Sequence, residues 1–228
     1  MPDLEFQVES AAPLRNAAAP TLVFKLQTTN NAEETIHTIL LNCQIMLDVT
    51  RRRYSTEEQE KLLDLFGKPE LWDRSLRRLF WTNVGVTVPT FTGKTIVDLN
   101  VPCTFDINVA ATKYFSGLEE GEVPLLLLFS GTIFYEGENQ ALRVAQIPWE
   151  KEAVYRLPVR VWQEMMDIYY PNSVWLNLRR DVFERLNRYK MLRGIPTFDQ
   201  VLERIVPDAS MENGLSPQSK DSGGEKIH

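Results

Sequence analysis

A run of alternating apolar and polar residues in the first quarter of the chain constrains its fold more than any other feature. Between Ile39 and Val49 every second side chain is apolar, and polar residues such as Asn42 stand between them. Alternation with period two is typical of a strand that is buried on one face. The same pattern recurs at 4–8, 22–26 and 97–105. The chain is therefore expected to be rich in antiparallel β-structure.

The connections and the remaining strands refine this expectation. The segment 30–34 has the composition of a turn, which predicts that the strands before and after it form an antiparallel hairpin. Pro102 cannot donate a hydrogen bond to a neighbouring strand, so either its strand lies at the edge of a sheet or the proline lies at a bulge. Residues 125–135 form a continuous apolar strand, which predicts either burial on both faces or a second layer that wraps around it. Seven to nine antiparallel strands favour a β-sandwich.

Two helical regions accompany the strands. Ser55 and Glu58 have the spacing of a capping box, and apolar residues at helical spacing follow them. The predicted class is α+β, mainly β. Its predicted parts are a β-sandwich domain over 1–157 with a helical insertion at 55–81, a C-terminal helical cap packed on it over 158–206, and a disordered tail over 207–228.

Bulk properties exclude several classes of protein. The 228 residues suit one domain with a helical addition, and a net charge of -6 argues against a general nucleic-acid binder. The start of the chain lacks the pattern of a signal peptide, and its longest apolar run is too short to span a membrane. Cys43 and Cys103 lie in apolar alternating runs and are expected to be reduced. A cytoplasmic location is predicted.

Residues suited to catalysis are sparse. The two histidines, His37 and His228, have no acidic or cysteine partner at the spacing of metal ligands, so no metal site and no cofactor are expected. No nucleophile elbow or phosphate-binding loop is present. Asp98 and Asp106 share the polar side of one strand and leave a hydrolase as an alternative.

Two clusters near the C-terminus could form a surface for a partner. Residues 174–193 are expected to form a helix that begins after a turn at Pro171 and Asn172, with Ser173 as its cap. Its outer side is basic. An aromatic and methionine cluster over 162–175 suits either a core or an interface. The residues predicted to bind a partner are Tyr170, Trp175, Arg179, Arg180, Arg185 and Arg188. The triplet Arg51 to Arg53 is expected to be solvated.

Three motifs give the chain a resemblance to a bacterial family of unknown function. They are Phe6-Gln7-Val8, the Ala-Pro-x-Leu-x-Phe pattern over 19–24, and a Tyr-Pro-Asn-Ser-x-Trp-Leu signature that starts at Tyr170 and extends to Asp181. Val174 replaces the glycine of the family pattern, which loosens the turn. The resemblance covers residues 4–205. Genes of this family are found near those of nickel–iron uptake hydrogenases and their maturation factors.

The resemblance implies an accessory role in hydrogenase assembly, with hydrogenase subunits or maturation factors as partners. It supplies no catalytic residue. The chain also lacks the Cys-x-x-Cys pairs with which hydrogenase subunits hold nickel and iron. A non-enzymatic interaction protein is therefore the expected function. A holdase-like chaperone that binds unfolded clients is the first alternative, and it would require a large exposed apolar groove. A hydrolase that uses the strand carboxylates is the second alternative.

Overall fold

The computed structural model describes residues 1–105, 108–137, 140–174 and 176–206. The strands are, in chain order, β1 (Leu4–Pro13), β2 (Thr21–Asn30), β3 (Ile36–Leu47), β4 (Leu79–Val88), β5 (Lys94–Pro102), β6 (Glu122–Glu136), β7 (Leu142–Gln146) and β8 (Glu152–Pro158). The α-helices are α1 (Thr56–Lys61), α2 (Leu63–Phe66), α3 (Trp72–Ser75), α4 (Val109–Gly117), α5 (Val159–Tyr169), α6 (Arg180–Leu192) and α7 (Phe198–Ile205).

The strands form two antiparallel sheets. One has three strands in the order β1-β2-β5, and the other has five strands, with β4-β3-β6-β7 in order and β8 also paired with β6. Strand β6 is long enough that β7 pairs with its second half and β8 with its first half. The predicted mainly-β α+β class is confirmed. The prediction of an edge strand at Pro102 is confirmed as well, because β5 ends there and borders its sheet.

Both sheets contribute to one hydrophobic core. The apolar residues of β3 that alternate with polar ones are almost fully buried, as the period-two pattern predicts. Cys43 and Cys103 belong to this core and are free thiols. Burial raises the pKa of each thiol to about 12, so both stay protonated and unreactive at neutral pH.

The hairpin predicted between β2 and β3 is wrong. Strand β2 pairs with β1 and β5, whereas β3 pairs with β4 and β6, so the chain passes from one sheet to the other between them. The Asn30 side chain organises this crossing. Its amide donates to the Glu34 carbonyl, and its oxygen accepts from the Asp3 backbone N–H at 3.0 Å, which fastens the connection to the start of β1.

The helical insertion is shorter than predicted. Its helices lie between Thr56 and Ser75, and Leu79 and Phe80 belong to β4 instead of a helix. Pairing with Leu47 and Met46 of β3 explains the difference, because a cross-strand ladder overrides a local helical pattern. The capping box is confirmed: the Ser55 side chain accepts from the Glu58 N–H, and the Glu58 carboxylate accepts from the Ser55 N–H.

The chain divides into two compact units, Met1–Val174 and Trp175–His228. Helix α5, which the predicted domains assign to a C-terminal cap, lies in the first unit, where Trp162 and Met165 enter the core. The packing of the rest of the cap stays a prediction, and the predicted tail over 207–228 lies outside the described residues. Among the described residues, no helix has the length and apolar character needed to cross a membrane.

Candidate functional site

The predicted partner-binding segment begins with a turn after α5. Asn172 adopts a left-handed conformation with φ of 53°, which asparagine tolerates better than most residues. The Ser173 hydroxyl donates to the Pro171 carbonyl at 3.0 Å, within the turn. It therefore caps no helix, and α6 begins only at Arg180, so the helix predicted from Val174 starts too early.

The end of α6 follows the prediction. Gly194 has φ of 62°, and its N–H donates to the Met191 carbonyl at 3.2 Å. The next N–H, of Ile195, donates to the Lys190 carbonyl at 3.0 Å, which satisfies another carbonyl of the last turn. Thr197 then caps α7, because its hydroxyl accepts from the backbone N–H of Gln200.

The described part of the second unit, residues 176–206, is here called the helical segment. Its only buried residues are Ile195 and Val201. The Phe183 and Phe198 rings lie 5.5 Å apart, and the Lys190 ammonium lies 5.4 Å from the centre of the Phe198 ring. Its large exposed apolar side chains are Leu176, Phe183, Tyr189, Met191, Leu192, Ile205 and Val206. Two short helices with so little buried surface are marginal by themselves.

The predicted arginines lie on the surface of this segment. The side chains of Arg179, Arg180 and Arg185 are 77%, 93% and 74% exposed. Arg179 and Arg185 both pair with Asp181, and Arg180 pairs with Glu184 at 3.6 Å. These contacts are weak at the surface and partly neutralise the basic side. Arg188 is exposed and makes no ion pair with any described residue.

The aromatic and methionine cluster divides between core and turn. Trp162 is buried and stacks on Phe115 with ring centres 4.2 Å apart. The Tyr169 hydroxyl donates to the Leu14 carbonyl at 2.6 Å and accepts from the Ala17 N–H. These residues therefore belong to the fold. Tyr170 is half-buried at the end of α5, and Trp175 lies outside the described residues.

A buried ion pair was missed by the sequence reasoning. Arg52, predicted to be solvated, has a side chain only 7% exposed, and it pairs with Glu58, which is 4% exposed. The guanidinium also donates to the carbonyls of Glu120 and Glu122, and the Glu58 carboxylate accepts from the Glu119 N–H. The only sequence signal was the capping glutamate, because the 119–122 loop is distant in the chain.

An open cavity of about 560 Å³ lies beside this ion pair. Its walls carry Arg51, Arg53 and Arg156 together with Glu120 and Glu122. The two signs of charge alternate around it, and Arg156 lies 4.0 Å from Glu122. The cavity is therefore neither an apolar groove nor a strongly anionic or cationic site.

The carboxylates of the hydrolase alternative do not form a described pair. Asp98 is exposed and forms an ion pair with Lys25 at 2.7 Å across the three-stranded sheet. Asp106 lies outside the described residues. Within the described part of the chain, no three His, Cys, Asp or Glu side chains are grouped closely enough to hold a metal ion.

Fold and surface together define a mainly-β protein of the α+β class that carries an exposed basic helical segment. The chain belongs to the family of unknown function DUF6084, whose model matches residues 1–214. This agrees with the predicted resemblance to an uncharacterised family. A comparison with curated proteins gives no match.

Solved structures show only distant likeness. A protein assigned to the late embryogenesis abundant class is 13% identical, with 69% of this chain and 73% of that chain covered and a TM-score of 0.29. A protein assigned as ApaA from Bordetella pertussis is 12% identical, with 68% and 94% covered and a TM-score of 0.27. A β-glucosidase from Kluyveromyces marxianus is 8% identical, with 68% and 15% covered and a TM-score of 0.25. Likeness at this level supports no inference about function.

Proposed function

We propose that this protein is a non-enzymatic accessory protein that binds an acidic partner protein through its helical segment. The observation that carries the proposal is the incomplete burial of that segment. Helix α6 has no buried residue, although Phe183 and Tyr189 on it are large and partly apolar. Exposed aromatic side chains flanked by arginine are typical of the residues that dominate binding at protein interfaces.

The charge of the helical segment favours an acidic partner. It contains seven Lys and Arg and four Asp and Glu, a net charge of +3 in a chain whose net charge is -6. Complementary charge speeds encounter and selects partners more than it adds affinity. The partner is therefore expected to present an apolar surface for Leu192 within an acidic rim that faces Arg185 and Arg188, which share its side of α6.

The first unit would serve as the scaffold. We expect its two sheets to face each other as a β-sandwich. The support for the sandwich is the stack of Phe6 of β1 on Phe129 of β6, with ring centres 4.2 Å apart. Sheets that pack face to face interdigitate their inward side chains in this way.

The family resemblance supplies the first candidates for the partner. Hydrogenase subunits and maturation factors are expected to be the proteins bound, and the protein is expected to act with them in the cytoplasm. No residue of this chain argues for that identity by itself. The test must therefore identify the partner and the binding surface together.

The experiment is affinity capture of the tagged full chain from its native host, followed by mass spectrometry. The variant R179E/R180E/R188E reverses the charge of three arginines in the helical segment. The variant K94E/R143E/R160E makes the same change of net charge on the first unit. An acidic protein recovered with the wild type and the second variant, but lost with the first, would support the proposal. Equal recovery with both variants would overturn it, and many unrelated unfolded clients would favour the chaperone.

A further inference from the structure

The outward side of the five-stranded sheet has an unusual composition. On β3, β6 and β7 it consists of the even-numbered residues of 38–46, 126–134 and 142–146, and on β4 of Phe80, Asn83, Gly85 and Thr87. These positions are here called the neutral face, because none of the seventeen residues is charged. All but Leu126 are exposed or half-buried. Charged residues border this face at Glu136, which pairs with Leu142, at Glu122 near the start of β6, and on β8 at Glu152 and Arg156.

The three-stranded sheet provides an internal comparison. Its outward side contains Glu5, Lys25, Lys94 and Asp98 among twelve positions that the strand register places there. The Lys25–Asp98 ion pair crosses that surface. A solvated sheet in this protein thus carries the usual share of charge, and the neutral face does not. Depletion of charge is the compositional mark of an interface core.

The neutral face is ordered in rows across the strands. Phe80, Met46 and Leu126 stand side by side in register, which makes one end of the face apolar. Near the other end, Phe134 and Val144 form a second apolar row. The middle rows mix amides, hydroxyls and a glycine, such as Gly85, Asn42 and Ser130, with the leucines Leu40 and Leu128. The face is therefore apolar at both ends and mixed but uncharged between them.

We propose that the neutral face binds the same face of a second copy of this chain, so that the protein is a symmetric dimer. Two copies each carry a net charge of -6 and repel one another wherever charged surfaces approach. The neutral face avoids that repulsion. Amide and hydroxyl groups both donate and accept hydrogen bonds, so they pair with their own kind. An apolar row at each end meets an apolar row under a two-fold axis, as a self-complementary interface requires.

The extent of the face suits a dimer. Three strands of about nine residues and the five residues of β7, at about 4.8 Å spacing and about 3.3 Å rise, cover roughly 500 Å² before the relief of the side chains is counted. Stable interfaces bury at least about 1,200 Å² in total, or about 600 Å² on each partner. The flat area of the neutral face therefore approaches the lower end of the range for a specific dimer.

The mass of the full chain in solution tests the proposal, by light scattering over a concentration series. The wild type is expected at twice 26.3 kDa. The variant N42K/Q44K places two like charges in the middle of the face and is expected to be monomeric, with a dissociation constant raised at least ~100-fold. The variant Q7K/N100K makes the same change on the other sheet and should remain a dimer. A monomeric wild type, or equal effects of the two variants, would overturn the proposal.

Chemical cross-linking keeps the test decisive if a lysine variant fails to fold. Facing sheets pack about 10 Å apart, so a bismaleimide of about 10 Å span should join two copies of S130C in the middle of the face. The native thiols are buried and do not compete. The variant N100C on the other sheet is the control. Covalent dimers from S130C alone support the proposal, and equal yields from both variants contradict it.

Discussion

Arg52 and Glu58 form an ion pair that is almost entirely withdrawn from water. Each group has further hydrogen-bond partners in the 119–122 loop, which joins the end of α4 to β6. Such pairs add little net stability compared with apolar replacements, but loss of one partner leaves a buried charge and costs about 3–5 kcal/mol. The pair therefore specifies how this loop is held against the start of α1.

At Gly131 of β6, the backbone of β3 lies so close that it leaves no room for a side chain. Its φ is 143°, and a Cβ added there would lie 2.0 Å from the Leu40 carbonyl oxygen. We predict that Gly131→Ala lowers the free energy of unfolding by about 3 kcal/mol or more, from strain and overpacking together. Urea unfolding monitored by circular dichroism measures this change.

Gly93→Ala is the matched control. Gly93 has φ of 72°, but a Cβ there would contact nothing within 4 Å, so only the left-handed conformation is penalised. We expect a loss of about 1 kcal/mol at that position. Equal losses in the two variants would mean that the contact with Leu40 does not restrict the sheet.

At the scale of elements, Asn108 joins a helix to a strand. Its side-chain oxygen accepts from the Ala111 N–H at 2.9 Å and caps α4. Its amide donates to the carbonyls of Phe80 and Trp81 at 2.7 and 2.9 Å, where β4 bulges against β3. One side chain thus fixes the start of α4 on the irregular part of β4.

We predict that Asn108→Ala costs about 2 kcal/mol or more in the free energy of unfolding, because it removes the cap and leaves two carbonyls without this donor. Thr197→Ala is the comparison, since Thr197 caps α7 at an exposed position and has no such second role. We expect Thr197→Ala to lower the free energy of unfolding by no more than about 1 kcal/mol. If both substitutions lower the free energy of unfolding equally, the contacts of Asn108 with β4 contribute nothing to stability.

Features determined within about five residues could be predicted from the sequence. The alternation of β3, the capping box at Ser55 and the end of α6 near Arg193 all depend on near neighbours in the chain. Pairings between distant strands could not be predicted, so β2 was joined to β3 and Phe80 was placed in a helix. The start of α6 was misplaced because the Ser173 hydroxyl had a competing acceptor in the turn.

Surface features divide in the same way, into those set by near neighbours in the chain and those set by distant ones. The exposure of the arginines on α6 was predictable, because their charge and helical spacing are local properties. The neutral face was not, since its members become neighbours only through the register of four strands. Arg52 was misjudged for the same reason: its partners lie in segments that the sequence separates widely.

At the scale of the whole molecule, stability and binding are expected to reside in different parts of the chain. The first unit contains the core to which both sheets contribute. The helical segment has two buried residues, and half of its large apolar side chains are exposed to solvent. Segments with few buried contacts open locally at low free energy, whereas core strands open only with global unfolding.

Hydrogen exchange of the free full chain, followed by mass spectrometry, measures this division directly. We predict that the amides of α6 exchange at least roughly a thousand times faster than those of β3 and β6, because local opening costs little and global unfolding costs about 5–15 kcal/mol. That result would leave the helical segment available to a partner. Protection of α6 equal to that of β6 would contradict the proposal, because it would make the helix an integral part of the stable fold.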